Sequence, residues 1–201
     1  MALDEWGFWE PNGTGAYGLE QTYTWNHALG TACFLNLFQR HADTVGMATW
    51  AQTVNVLAPL MTDETNVVCQ TVYYPMALYR ELCGSQSVKS DVDCHGLPDT
   101  DGLPMLDVSS SIDEAGETLS IAIVNRSETE QAEIELSVKG AEVRGEWTAH
   151  ELNASSIHDV NTLEEQDKEV VQYSVRTLPK GSTSYLAPAH SITILKVGLA
   201  R

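Results

Sequence analysis

Residues 1–9, MALDEWGFW, decide the fold that we expect for this chain. A short apolar run leads into two adjacent carboxylates, Asp4 and Glu5, and then into three aromatic rings with a glycine among them. Polar residues directly after a buried strand are typical of a strand end that carries chemistry. Because the apolar run is too short for a whole strand, we expect the strand to begin upstream of Met1. The chain is then the C-terminal part of a larger enzyme, with Glu5 as its catalytic carboxylate.

The two carboxylates are not expected to share a pocket. Successive side chains of a strand point to opposite faces, so Asp4 and Glu5 do not form the paired carboxylates of an acid/base mechanism. The alternative is that the pair opens a solvated turn. The rings of Trp6, Phe8 and Trp9 favour a site, because such a run is costly as bare surface but suits a sugar.

Composition excludes some classes of partner. The formal net charge is −17, which argues against nucleic acid and against an anionic membrane surface. The apolar fraction of 43% is ordinary for a globular protein. The sequence has no apolar run long enough to predict a membrane-spanning helix. The compartment is left open.

The cysteines and histidines predict neither a metal site nor a cofactor. The four cysteines show no CxxC and no repeated spacing, so a metal centre or a disulfide framework is not expected. His41 and Asp43 invite a triad or metal interpretation, but a histidine that ends a helix beside an aspartate is usually structural. We therefore expect no metal and no cofactor.

The first part of the chain has the rhythm of an α/β fold. Apolar residues at three- and four-residue steps predict a helix over residues 21–41. Residues 45–52 predict a strand that is apolar on both faces until it reaches Gln52. A last helix is expected over residues 75–83, and the glycine-rich residues 11–18 are expected to form a loop beside an active site.

From residue 85 the pattern changes to short, partly alternating strands separated by turn signals, which is typical of an antiparallel sandwich. We therefore divide the chain into an α/β part, residues 1–84, and an all-β part, residues 85–201. The strands are expected at residues 91–94, 105–108, 119–124, 132–138, 146–150, 170–175 and 192–197.

Four ordered motifs carry a family resemblance: LDEW at residues 3–6 with Trp9, RHAD at 40–43, AQTVNV at 51–56 and TVYYP at 71–75. Together they resemble the C-terminal half of the family fifty-one α-L-arabinofuranosidases, and residues 119–126 and 188–193 are similar to that family's terminal β-domain. The resemblance spans nearly the whole chain.

The resemblance implies the C-terminal fragment of a (β/α)₈ TIM barrel followed by an antiparallel jelly-roll β-sandwich. It implies a retaining glycosidase acting on terminal, non-reducing α-L-arabinofuranosyl groups of arabinan- or arabinoxylan-type saccharides. Glu5 matches the nucleophile at the end of barrel strand seven, Trp9 borders the sugar subsite, and Gln52 at the end of strand eight bonds the sugar. The family's acid/base glutamate, at the end of strand four, would precede Met1, so we expect the isolated chain to be inactive.

Two alternatives stay open at this point. One is a non-catalytic carbohydrate-binding or assembly fragment in which the sandwich dominates. The other is a related retaining barrel glycosidase that acts on a different sugar, such as an endoglucanase or a xylosidase. The preferred linkage is also open, as is whether the protein forms a homo-oligomer.

Overall fold

A computed structural model describes residues 1–10, 19–98, 100–168 and 170–200. The glycine-rich loop expected at residues 11–18 lies outside the described residues. The described ranges contain two α-helices, α1 (Trp25–Arg40) and α2 (Tyr73–Leu82), and are otherwise mostly strand and loop. The strands are β1 (Ala2–Trp6), β2 (Met47–Trp50), β3 (Leu60–Thr62), β4 (Val67–Cys69), β5 (Gln86–Val88), β6 (Leu106–Ile112), β7 (Thr118–Asn125), β8 (Ala132–Glu135), β9 (Glu142–Asn153), β10 (Gln172–Thr177), β11 (Ser184–Ala187) and β12 (Ile192–Ala200).

The predicted strand, helix, strand order at the start of the chain is confirmed. Strands β1 and β2 pair in parallel, and α1 lies between them in sequence. The prediction that the second strand is buried on both faces is wrong, because Met47 is 53% exposed and Thr49 is also exposed. The cause is that β1 and β2 form a two-stranded sheet with α1 on one side, so the other side faces solvent within the described residues.

The predicted antiparallel sandwich is confirmed in the second part of the chain. Six strands form an antiparallel sheet in the order β10-β9-β12-β7-β6-β5, and β8 pairs with β11 in a second, smaller sheet. The strand expected at residues 91–94 is absent from the structure. Asp91, Val92 and Asp93 are all exposed there, and within the segment Cys94 alone packs against a core, so the alternation buries no continuous face.

Both faces of the six-stranded sheet are covered along β12, whereas the edge strand β10 is exposed. On one face, Ile192 and Ile194 of β12 join Trp25 of α1 and Tyr79 of α2 in a hydrophobic core. On the opposite face, Leu195 packs in a second core that includes residues of β8 and β11. The alternation along β12 thus divides its side chains between two cores, as the period of a strand requires.

A polar network fixes α1 to the edge of the first core. Asn36 is fully buried, and its Nδ2 donates to Asp107 Oδ1 at 2.9 Å. Its Oδ1 accepts from Tyr79 Oη at 2.8 Å and from Ser109 Oγ at 2.6 Å. Arg40 Nη1 donates to the same Asp107 Oδ1 at 2.8 Å. Helix α1 is therefore held to the sheet by charge-assisted bonds as well as by apolar packing.

Candidate active site

The carboxyl ends of β1 and β2 bring two of the predicted site residues to one edge. Trp6 is paired with Trp50, and the Ala51 amide donates to the Trp6 carbonyl at 2.9 Å. Glu5 lies directly before Trp6, and Gln52 follows Ala51. Because the strands are parallel, Glu5 and Gln52 lie at the same end of the sheet. Trp9 follows three residues after β1 ends, and all three predicted residues are exposed.

A β-bulge occurs at the two carboxylates. Leu3 is opposite Ala48 and Trp6 is opposite Trp50, so Asp4 and Glu5 together face the single residue Thr49. Bulges of this kind redirect side chains at barrel rims and next to active sites. The bulge places Leu3 and Trp6 on the same face, and simple alternation therefore no longer assigns Asp4 and Glu5 to opposite faces.

An aromatic cluster supports this edge from the side of α1. The Trp6 ring lies 4.8 Å from that of Trp50 and 5.0 Å from that of Phe38 of α1, both edge to face. Gly7 has a φ of +148°, and a Cβ at this position would lie 3.1 Å from the Trp50 ring. The glycine among the aromatic residues is therefore required both by its backbone conformation and by the closeness of Trp50.

The candidate side chains project from the edge without a polar contact to the part of the chain that the structure describes. Within the described residues, the side chains of Glu5, Gln52 and Trp9 make no hydrogen bond or ion pair. Trp9 is 57% exposed. A glutamate carboxylate is one of the side chains that act as the nucleophile in glycosidases. An amide and an aromatic ring are the groups that bond sugar hydroxyls and stack on sugar faces.

The residues that sequence reasoning missed lie directly behind the site. Tyr23 is fully buried, and its Oη donates to the Phe8 carbonyl at 2.9 Å. Burial raises the pKa of the Tyr23 hydroxyl well above its ordinary value, so it stays a proton donor. Gln70, also fully buried, bonds the segment that carries Tyr23. Gln70 directly precedes the TVYYP motif, and a polar residue between an apolar strand and a helix was the available signal.

In the described ranges, no group of three or more His, Cys, Asp or Glu side chains is placed to hold a metal ion. Neither α1 nor α2 is long and apolar enough to cross a membrane.

Comparison with known proteins identifies the chain's relatives. Residues 4–191 match the family model described as the alpha-L-arabinofuranosidase C-terminal domain. A probable alpha-L-arabinofuranosidase C from Aspergillus clavatus is 33% identical over 98% of this chain and 39% of the relative. An intracellular exo-alpha-(1->5)-L-arabinofuranosidase from Bacillus subtilis is 33% identical over 71% of this chain and 31% of the relative.

The fold is similar to that of solved structures as well. The arabinose complex of an alpha-L-arabinofuranosidase from Thermotoga maritima superimposes with a TM-score of 0.86 at 25% identity. The match covers 98% of this chain and 43% of that one. The chain thus spans between 31% and 43% of the length of these three proteins.

Proposed function

The chain belongs to the alpha-L-arabinofuranosidase C-terminal domain family, and we propose that its parent protein is a retaining α-L-arabinofuranosidase. Its substrates are saccharides of the arabinan or arabinoxylan type, from which it releases terminal, non-reducing α-L-arabinofuranosyl groups. One observation carries the proposal: Glu5 and Gln52 both lie at the carboxyl end of a parallel strand pair. Active sites of α/β barrels lie at that end of their strands.

In this proposal β1, α1 and β2 are strand seven, its helix and strand eight of a TIM barrel. Residues 1–84 then belong to the catalytic domain, and residues 85–201 form a jelly-roll sandwich. The two faces of the parallel pair support this assignment. One face is exposed at Met47 and Thr49, where the interior of a barrel would lie, whereas the opposite face packs on α1, as a barrel strand does on its outer side.

The proposed chemistry has two steps. The Glu5 carboxylate attacks the anomeric carbon and forms a glycosyl ester, while a general acid protonates the departing glycosidic oxygen. Water, deprotonated by the same acid/base group, then cleaves the ester and frees Glu5. Gln52 orients the furanose through its amide, and Trp9 borders the subsite.

The mechanism needs two carboxyl groups about 5–5.5 Å apart. We propose that the second is a glutamate on the part of the relatives' length that this chain does not span. On this proposal we expect the isolated chain not to hydrolyse arabinofuranosides.

The test is hydrolysis of a nitrophenyl α-L-arabinofuranoside by the complete enzyme and by its Glu5→Gln variant. We expect the substitution to reduce kcat by at least about a thousandfold, because the amide cannot form the glycosyl ester. The matched control is Asp4→Asn, which removes the neighbouring charge on the same bulge. Activity retained in Glu5→Gln, or lost equally in both variants, would reject Glu5 as the nucleophile.

The choice of sugar is tested separately. The wild-type enzyme is compared on arabinofuranoside, xyloside and cellooligosaccharide substrates. The proposal predicts release from the arabinofuranoside above the others. Binding to arabinan by the complete protein without any hydrolysis would instead identify a carbohydrate-binding protein.

A further inference from the structure

The backbone on both sides of Trp9 is held, although the Trp9 side chain is exposed. On one side, the Phe8 carbonyl accepts a hydrogen bond from Tyr23 Oη at 2.9 Å. On the other side, the Glu10 amide donates to Gln21 Oε1 at 2.9 Å. Gln21 is 3% exposed and Tyr23 is fully buried, so water competes weakly with both bonds.

The segment that makes these two bonds is itself held by one buried side chain. Gln70 Oε1 accepts from the Tyr23 amide at 2.8 Å, and Gln70 Nε2 donates to the Gln21 carbonyl at 3.0 Å. The second Nε2 hydrogen goes to the Ala58 carbonyl at 2.8 Å, in the loop that follows Gln52. The Gln70 amide thus uses its acceptor and both of its donors on the two loops that carry Trp9 and Gln52.

We propose that Gln21, Tyr23 and Gln70 form a clasp that positions Trp9 as a preformed sugar platform. A large exposed ring on a mobile loop would lose conformational freedom on stacking against a sugar, and a ring whose backbone is already fixed loses less. Tyr23 and Gln70 are therefore positioning residues that act through Trp9. The identification of the ligand as a sugar rests on the proposed function. The hydrogen bonds that form the clasp do not depend on it.

Stacking on Trp9 contributes alike to the ground state and the transition state, since the ring takes no part in bond breaking. Loosening the clasp should therefore raise KM and leave kcat nearly unchanged. Removing one hydrogen bond of ordinary strength corresponds to a change of about three- to tenfold in KM.

The first measurement is made on the complete enzyme, labelled with 5-fluorotryptophan and observed by ¹⁹F NMR. The Trp9→Phe variant identifies the resonance of Trp9. Tyr23→Phe removes the hydroxyl and keeps the ring. It should move the Trp9 resonance toward the position of the free amino acid.

The matched control is Tyr79→Phe. It also removes a buried tyrosine hydroxyl, one that bonds Asn36 Oδ1 at 2.8 Å rather than the clasp. It should leave the Trp9 resonance in place.

The second measurement is steady-state kinetics of the complete enzyme carrying the same variants. Tyr23→Phe should raise KM about three- to tenfold with kcat nearly unchanged, and Tyr79→Phe should change neither constant. In Gln70→Glu the carboxylate repels two carbonyl oxygens to which the amide donates, so a larger rise in KM is expected. Where that variant does not fold, Tyr23→Phe is decisive.

An unmoved Trp9 resonance in Tyr23→Phe would overturn the clasp. A moved resonance with an unchanged KM would overturn the positioning role. An equal rise in KM in Tyr79→Phe would show a general loss of stability instead. Failure of the proposed function has a different signature, because the wild-type enzyme would then not cleave arabinofuranosides while the resonance still moved.

Discussion

The six-stranded sheet and the two-stranded parallel sheet differ in how they are supported. The six-stranded sheet is covered on both faces along β12, where Ile194 and Leu195 on its opposite sides are each fully buried. In the described residues, one face of the parallel sheet packs on α1 and on Tyr23, and its other face leaves Met47 53% exposed. One face of the region that we assign to catalysis is therefore left uncovered in the described residues, whereas most of the buried apolar residues belong to the sandwich.

The largest difference in the free energy of unfolding is expected between substitutions of two tryptophans, one buried in a core and one exposed at the candidate site. Trp25 is fully buried, and its Nε1 donates to the His190 carbonyl at 2.7 Å, whereas Trp9 is 57% exposed. We expect Trp25→Ala to lower the free energy of unfolding by about 3–5 kcal/mol. Trp9→Ala should change it by no more than about 0.5 kcal/mol. Urea unfolding of the two variants provides the measurement, and similar losses would contradict the division between a supporting core and an exposed site.

The next largest loss of unfolding free energy is expected when the buried polar network that holds α1 is disrupted. Asn36→Ala removes bonds to Asp107, Tyr79 and Ser109 and leaves buried partners unsatisfied, so a loss of about 2–3 kcal/mol is expected in the same unfolding assay. Its control is Lys89→Ala, because Lys89 pairs with Asp91 at 3.1 Å where both side chains are exposed. That loss should stay below about 1 kcal/mol. If Asn36→Ala cost no more than the control, the network would not anchor α1.

The smallest change in the free energy of unfolding is expected for a substitution at Gly30, where α1 contacts the loop that follows β1. A Cβ on Gly30 would lie 2.7 Å from Phe8 Cζ, so the helical preference for alanine, about 1 kcal/mol, is opposed by a clash. Gly30→Ala should therefore leave the free energy of unfolding nearly unchanged. In a Phe8→Ala background the same substitution should stabilise the protein by about 1 kcal/mol. Equal effects in both backgrounds would show that Phe8 does not limit position 30.

The sequence predicted the elements that periodicity governs. The apolar steps of α1 and the alternation of β12 are local patterns, and the structure has both elements close to the expected residues. The prediction of a strand at residues 91–94 was wrong: its first three residues are exposed, and Cys94 alone packs against a core. The hairpin of β3 and β4 was missed, since its strands are only three residues long.

Of the candidate site, only the exposed residues could be predicted from the sequence. Glu5, Gln52 and Trp9 belong to motifs that are contiguous in sequence, so a family resemblance could point to them. The bulge at Asp4 and Glu5 depends on the pairing with β2, which no local pattern encodes. Gln70 is separated from Tyr23 by 47 residues, and only the folded chain brings the two together.

The most direct test of the account is to trap the covalent intermediate in the complete enzyme. A fluorinated arabinofuranoside with an activated leaving group slows breakdown of the glycosyl ester, because fluorine disfavours the oxocarbenium-like transition state. Peptide mass spectrometry then locates the added sugar. The account predicts the label on Glu5 and none on the neighbouring Asp4. A label on Asp4, or on a carboxylate outside the bulge, would contradict it.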